Sequence, residues 1–225
     1  MFKEKTILVD LTGRFPQYCS RLYTSLKNSG EEIYFASITS ADTSRKKRDT
    51  KEFKLFEIKI LRSDRRKNSF FHQCLKFFEI SVNIFYLEIK KLTIRPKVIH
   101  YQYFPLIEHL PYIEFLLLKR TRRLGIKIIY TVHNILPHNS GDRFILVYTK
   151  LYGLCDSLIV HTDESFLRLV NEFDVPRSKI HIIPHGELSL KDDSSGDNIS
   201  YKYHDELANK QVVLCFGRIS RYKGI

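Results

Sequence analysis

The sequence contains few of the glycines, prolines and cysteines that define fibrous, disordered or cysteine-based metal and redox proteins. Its 225 residues include only nine glycines, seven prolines and four cysteines. This composition excludes a collagen-like repeat and gives no sign of disorder. None of the cysteines forms a CxxC pair, so zinc-ribbon and thioredoxin-like motifs are excluded as well. Such cysteines suit a reducing compartment better than secretion.

The sequence also lacks a long uncharged hydrophobic run. The apolar run near the N-terminus spans about five residues, too short for the core of a secretory signal. The most apolar long segment, Phe70–Leu92, contains five charged residues, each costly at the centre of a bilayer. We therefore expect neither a signal peptide nor a membrane span, and a cytoplasmic location.

Basic residues outnumber acidic residues in this sequence. Lysine and arginine number 37 against 25 acidic residues, which gives a formal net charge of +12. Such a surface attracts membrane lipid, nucleic acid or a phosphorylated substrate, and the sign alone does not choose among them. Nucleic acid is the poorest explanation, because the sequence has no RNP-like motif, zinc finger or recognition helix.

Short apolar runs alternate with longer segments of helical periodicity. Runs rich in Ile and Val predict strands of a parallel sheet covered on both faces. Strands are predicted at Thr6–Asp10, Ile33–Ile38, Leu55–Leu61, Val98–Tyr101, Ile126–Val132, Ser157–His161 and Lys179–Ile183. Helices are predicted at Gln17–Lys27, Phe70–Leu92, Leu110–Leu124 and Asp163–Phe173. This alternation predicts an α/β, Rossmann-like, doubly wound sheet.

Two polar stretches interrupt the pattern. Thr43–Lys54 is a charged connection, and Glu187–Asn209 is a linker rich in Ser, Asp, Asn and Lys. We expect a first domain over residues 1–186, a linker over 187–210 and the start of a second domain over 211–225. A strand and a turn cannot form a core by themselves, so we expect this second domain to be truncated.

Candidate site residues follow the predicted strands, because ligands of open parallel sheets bind at the carboxyl ends of the strands. Gly13 follows the first strand, where a backbone N–H could approach a ligand; a plain strand-to-helix turn explains it equally simply. His133, Asn134 and His138 follow the Ile126 strand. His133 could act as donor, acceptor or base, or it could cap the segment that follows.

Two further pairs of residues lie towards the C-terminus. His185 and Gly186 mark either a turn facing a cleft or the exit into the linker. Arg218 and Lys223 bracket the turn after the apolar run Val212–Phe216. A guanidinium and an ammonium group on such a turn could clamp a diphosphate, although basic residues in turns are commonly only solvated.

Taken in order, these segments resemble glycosyltransferase family 4, a family of retaining GT-B enzymes. The resemblance rests on Gly217-Arg218 followed by Lys223-Gly224, on Thr131-Val132-His133, on Ile183-Pro184-His185-Gly186 and on Val160–Ser165. It covers almost the whole chain. The closing motif is the most specific, and the ordered set is stronger than any one member.

The resemblance implies two Rossmann-like domains that face each other across a cleft. The first would bind a glycan or lipid-linked acceptor, and the second a nucleoside diphosphate sugar, with no metal or other cofactor. Arg218 and Lys223 would hold the donor diphosphate, with Gly13 near the phosphates. His133 would be the catalytic residue facing the transferred sugar. Asn134, His138, His185 and Gly186 would line the cleft.

One departure from the family bears on activity. The two glutamates with which the family's donor domain contacts sugar and ribose have no counterpart in these 225 residues. We expect a hexosyltransferase of surface polysaccharide or glycoconjugate synthesis whose transfer by this chain alone is weak or absent. The alternative is a non-catalytic half-domain that holds acceptor or membrane and needs a donor domain from another chain.

Two segments offer an explanation for the basic charge. The Phe70–Leu92 segment joins many aromatic residues to flanking Arg and Lys, and residues 110–124 join leucines to Lys119, Arg120, Arg122 and Arg123. Such patterns are typical of interfacial helices on anionic lipid at the inner face of a membrane. A core stripe with a solvated basic edge is the alternative.

Overall fold

The computed structural model describes residues 4–38, 51–58, 70–137, 141–186 and the single residue 211. Seven strands form one parallel sheet. They are β1 Lys5–Asp10, β2 Glu32–Ser37, β3 Glu52–Lys54, β4 Val98–Tyr101, β5 Lys127–Thr131, β6 Ser157–Val160 and β7 Ile180–Ile182.

Within the described residues, five α-helices connect the strands. They are α1 Pro16–Asn28, α2 Phe70–Ile94, α3 Pro111–Arg123, α4 Ile145–Leu154 and α5 Asp163–Phe173, with 3₁₀ turns at Gly141–Phe144 and Arg177–Lys179. Local signals explain the helix ends. Pro111 begins α3, and Gly125, with φ +73°, follows its last turn. Thr162 caps α5 by accepting a hydrogen bond from the Ser165 N–H.

The strand order is β3-β2-β1-β4-β5-β6-β7. The chain moves outward in one direction from β1 to β3, returns to β4 beside β1, and then moves outward in the other direction. Lys5 pairs with Glu32 of β2, and Thr6 pairs with Val98 of β4. The reversal between β1 and β4 is where sheets of this type form a crevice at the carboxyl edge.

Alternate residues of the strands build two cores, one on each face of the sheet. Leu8 of β1 and Phe35 of β2 pack with Cys19 and Tyr23 of α1 on one face. Ile7 and Val9 belong to the larger core on the other face. That core includes Leu87 of α2, Leu118 of α3, Tyr152 of α4 and Leu169 of α5. The doubly wound, Rossmann-like prediction is therefore confirmed.

One predicted strand is misplaced. The Leu55–Leu61 run was expected to be a strand, but β3 ends at Lys54 and residues 55–58 have no regular structure; residues 59–61 lie outside the described residues. Side chains of α2 hold this backbone in place of a neighbouring strand. Asn83 accepts from the Phe56 N–H at 2.7 Å and donates to its carbonyl at 2.9 Å, while Glu79 accepts from the Ile58 N–H.

A polar network joins α2 to α3 inside the protein. The Lys91 ammonium is buried, pairs with Glu88 and donates to Thr121 Oγ1 at 2.7 Å. Burial lowers the pKa of Lys91, although Glu88 opposes the shift. Nearby, the carboxylate of Glu114 accepts from the Leu106 N–H at 2.9 Å. Burial raises the pKa of Glu114 to about 7.

The chain divides into two compact units, residues 1–185 and 186–225. All the strands and helices named above belong to the first unit. The predicted linker and the predicted opening of a second domain lie outside the described residues apart from Gln211, and they stay predictions. Among the helices that the structure describes, none combines the length and apolar character needed to cross a membrane.

Glu114 should make stability depend on pH. Its pKa is about 7 in the folded protein against an ordinary value of 4.5, so the folded state holds the proton more tightly than the unfolded state. The contribution of Glu114 to stability should therefore fall by up to about 3 kcal/mol as pH rises from 4.5 to 7, opposite in sign to the contribution of buried neutral histidines. Glu114→Gln keeps an acceptor for the Leu106 N–H and should remove this dependence. Urea unfolding at pH 5 and pH 8 would measure it.

The exposed Glu164 offers a matched control. Glu164→Gln should leave the pH dependence of the parent protein intact. An unchanged dependence in Glu114→Gln would show that this carboxyl group does not cause it.

Candidate functional site at the carboxyl edge of the sheet

The loop between β1 and α1 is organised by one buried carboxylate. Asp10 ends β1 with no exposed surface. Its oxygens accept from the backbone N–H groups of Arg14 at 3.1 Å and Phe15 at 3.2 Å, and the Cys19 thiol donates at 3.7 Å. Because α1 has no side-chain cap of its own, Asp10 satisfies donors just ahead of the helix. Burial raises the Asp10 pKa, and these hydrogen bonds oppose that shift.

Gly13 lies in this loop, as predicted. Its φ of +61° is the left-handed conformation that favours glycine. Its N–H donates to the Asp10 carbonyl at 3.4 Å, a long bond within the turn. The next residue places its charge beside the sheet: the Arg14 guanidinium lies 4.4 Å from the centre of the Tyr103 ring, which follows β4.

A chain of hydrogen bonds connects the ends of β4 and β5. His133 Nε2 lies 3.0 Å from Gln102 Oε1. The Gln102 amide donates to Thr131 Oγ1 at 3.4 Å, and His100 Nε2 lies 2.8 Å from the same oxygen. With Gln102 Oε1 as acceptor, His133 carries its proton on Nε2 and keeps a lone pair on Nδ1.

His133 and His100, the two histidines in this series of hydrogen bonds, are both held neutral. Burial, together with the nearby His161 and His185, lowers the pKa of His133 to about 3. Burial lowers the pKa of His100 to about 4. A group with so low a pKa is a weak base near neutral pH. His133 is therefore suited to hydrogen bonding as an uncharged ring.

Three histidines from successive strand ends surround one tyrosine. His133, His161 and His185 follow β5, β6 and β7, and Tyr18 comes from the first turn of α1. The Tyr18 ring centre lies 5.0, 5.5 and 5.1 Å from those of His133, His161 and His185. Phe15 stacks on the other side of His133, with ring centres 3.8 Å apart. The edge is thus lined by aromatic rings with polar atoms between them.

One ring nitrogen of His161 is hydrogen-bonded, and the other has no hydrogen-bond partner. Its Nδ1 donates to the Ile183 carbonyl at 2.8 Å, and its Nε2 is buried with no hydrogen-bond partner.

Over residues 4–38, 51–58, 70–137 and 141–186, no group of three or more His, Cys, Asp or Glu is arranged to hold a metal ion.

The structure brings together some of the predicted site residues. His133 and His185 both contact Tyr18, and Gly13 lies in the loop held by Asp10. Asn134 is exposed beside His133. A Cβ on Gly186 would meet nothing within 4 Å, so packing does not require glycine there. Outside the described residues lie His138, Arg218 and Lys223.

Sequence reasoning missed Tyr18, Gln102 and His161. Gln102 directly follows β4 and His161 directly follows β6, so a search of every strand end would have found both. In the sequence, Val160–Ser165 was used only as one of the segments that carry the family resemblance. Tyr18 carries no comparable signal, because its role depends on how α1 packs over the sheet edge.

Comparison with known proteins decides the family. The family model described as Glycosyltransferase Family 4 matches residues 17–186. The chain belongs to glycosyltransferase family 4. The match includes Tyr18, Gln102 and the three clustered histidines, and a search of curated protein sequences finds no match.

Solved structures agree on the fold. A glycosyltransferase from Rickettsia africae ESF-5 shares 15% identity and a TM-score of 0.50 over 83% of this chain and 44% of its own. Glycyrrhiza uralensis UGT73P12, complexed with glycyrrhetinic acid 3-O-monoglucuronide, shares 10% identity and a TM-score of 0.52 over 84% of this chain and 50% of its own. This family 4 chain therefore spans about half the length of either structure.

Removing the Asp10 carboxylate should destabilise the protein. Asp10→Ala leaves two backbone donors and a thiol without their acceptor, a loss of about 2–3 kcal/mol. Asp10→Asn keeps one acceptor oxygen and should lose less. Chemical denaturation would rank the variants, with Asp142→Ala, at an exposed position, staying within about 0.5 kcal/mol of the parent. Equal stability of Asp10→Ala and the parent would contradict the role given to Asp10.

The neutral state of His133 and His100 should be detectable in solution. Because their folded pKa values of about 3 and 4 lie below the ordinary histidine value of 6.5, stability should be lost as pH falls from 6.5 through those values. The ring signals of His133 and His100 should not titrate in NMR spectra between pH 8 and pH 5. His133→Asn and His100→Asn assign the signals. A His133 midpoint near 6.5 would show that the ring is exposed to solvent.

Proposed function

We propose that this chain supplies the acceptor-binding half of a retaining glycosyltransferase. The reaction would move a hexose from a nucleoside diphosphate sugar to a glycan or lipid-linked acceptor. The observation that carries the proposal is the cluster of Tyr18, His133, His161 and His185 at the carboxyl edge of the family 4 domain. Synthesis of surface polysaccharide or a related glycoconjugate, at the cytoplasmic face of a membrane, is the setting we propose.

The chemistry of the cluster suits an uncharged sugar. The rings of Phe15 and Tyr18 offer flat apolar faces, and Tyr18 adds a hydroxyl group at its edge. The neutral His133 offers a lone pair on Nδ1 to a hydroxyl group. A few polar groups set among aromatic walls is the usual composition of a small-molecule site. His133 would thus orient the sugar at the reaction centre rather than remove a proton.

Charge at the donor side would come from other residues. Arg218 and Lys223 would hold the diphosphate and stabilise the charge that develops on the leaving group. The loop around Gly13 would lie near the phosphates, where Arg14 adds a guanidinium group held against Tyr103. No metal is needed in this proposal, because these groups supply the positive charge.

Substitutions in the cluster test the proposal. Tyr18→Ala and His133→Ala should weaken acceptor binding or transfer about 10-fold or more, because each removes a wall or a hydrogen bond of the site. His181→Ala is the matched control, since His181 is exposed on β7. Calorimetry with glycan acceptors and transfer from a panel of nucleotide sugars would measure the two effects. Equal values for all three variants would refute the site.

The same experiments distinguish the hypothesis of an enzyme from the hypothesis of a non-catalytic binding half-domain. Turnover by the 225-residue chain alone would establish an enzyme. Acceptor binding without turnover, restored when a second protein supplies a donor domain, would establish the non-catalytic alternative. Binding of neither acceptor nor donor would refute both.

A further inference from the structure

The inner side of the long helix α2 carries polar residues beside the buried Ile80 and Leu87. Glu79, Asn83 and Lys91 are buried and hydrogen-bonded to the rest of the protein. On the opposite side, phenylalanine or leucine recurs every seven residues and is exposed. These residues are Phe71, Phe78, Phe85 and Leu92, with Phe70 and Ile89 beside them. The core-stripe interpretation of this segment is therefore wrong.

The bonds on the inner side of α2 fix this orientation. Rotating the helix to bury the aromatic residues would break both Asn83 bonds to Phe56 and the Lys91 bond to Thr121. It would also leave the partly buried backbone groups of Phe56 and Ile58 without these partners, at a cost that aromatic burial would have to exceed. The exposure of Phe85, 68% of its surface, is thus set by the fold.

Helix α3 lies next to α2 and also has exposed apolar residues. Arg120 of α3 lies 3.5 Å from Glu88 of α2, next to the Lys91–Thr121 bond. Tyr112 and Leu116 of α3 are 80% and 64% exposed. Farther along the helix the exposed residues are basic, namely Lys119, Arg120, Arg122 and Arg123. We call the exposed apolar residues of α2 and α3 the apolar helix face.

We propose that the apolar helix face docks on the surface of an anionic lipid bilayer. Exposed aromatic residues together with a basic flank match the pattern of helices that lie in the membrane interface. The basic flank is formed by the exposed α3 residues Lys119, Arg120, Arg122 and Arg123. These attract anionic headgroups.

Charge favours lipid over a second copy of this chain as the occupant. The net charge is +12, so two copies meeting at this face would bring their basic flanks together. Like charges repel, whereas an anionic bilayer offers both the opposite charge and an apolar layer. A heptad spacing of aromatics also suits helix pairing, so self-association is an outcome that the experiment must exclude.

The direction of α2 relates this face to the candidate site. Asn83 and Glu79 bond to Phe56 and Ile58, which come after the carboxyl end of β3. The part of α2 that precedes Glu79 therefore extends towards the carboxyl side of the sheet, where His133 and Tyr18 lie. Docking would place this part of α2 against the bilayer, and the link to a lipid-anchored acceptor rests on the proposed function.

A single introduced tryptophan gives a direct test, because the sequence contains none. Phe85→Trp should show a blue-shifted emission with phosphatidylcholine–phosphatidylglycerol vesicles, and brominated lipids should quench it. The control is Leu146→Trp on α4, since Leu146 is 85% exposed but lies outside the apolar helix face. Its emission should change little. Equal shifts at both positions would overturn the proposal.

Flotation of the full chain with the same vesicles measures the contribution of each part. Phe78→Ser combined with Phe85→Ser should lower partitioning at least about tenfold, whereas Leu146→Ser should leave it unchanged. Lys119→Glu with Arg123→Glu should also lower it, as should raised salt or vesicles of phosphatidylcholine alone. Unfolding midpoints should match the parent, because these residues are exposed.

Two results would overturn the proposal. One is no binding to anionic vesicles at low salt. The other is concentration-dependent self-association in sedimentation that Phe78→Ser with Phe85→Ser abolishes, without any vesicle binding. Neither measurement needs a sugar donor or turnover. Failure of the docking proposal is therefore distinguishable from failure of the proposed function.

Discussion

The parallel alignment of all seven strands is the constraint on which the rest depends. It places the carboxyl ends of strands far apart in sequence along one edge of the sheet. Residues that follow β4, β5, β6 and β7 consequently meet there although more than 80 positions separate Gln102 from His185. The reversal between β1 and β4 then sets α1 beside them, which lets Tyr18 contact three histidines at once.

Much of this arrangement could be predicted from sequence, and the exceptions have physical reasons. β4 and α5 have the predicted bounds, because apolar runs and a threonine cap mark them clearly. β3 was misplaced since its apolar neighbours Leu55–Ile58 are held by side chains of α2, a partner 21 to 27 positions away. The protonation of His133 likewise depends on His161 and His185, which only the folded sheet brings near.

The helix α2 shows why hydrophobic periodicity alone cannot tell inside from outside. Its apolar stripe is regular, and in an ordinary globular protein such a stripe would face the core. Here Glu79, Asn83 and Lys91 have specific partners within the domain, and their hydrogen bonds decide which side is buried. A few satisfied polar groups therefore outweigh the pattern formed by a larger number of aromatic residues.

The clamp of Asn83 on Phe56 has a consequence for the outer edge of the sheet. An outermost strand exposes backbone groups that can recruit strands of other chains and start aggregation. β3 is only three residues long, and just beyond it the amide of Asn83 occupies both the N–H and the carbonyl of Phe56. The same side chain that turns aromatic residues outward thus occupies two backbone groups of Phe56 that could otherwise pair with a strand of another chain.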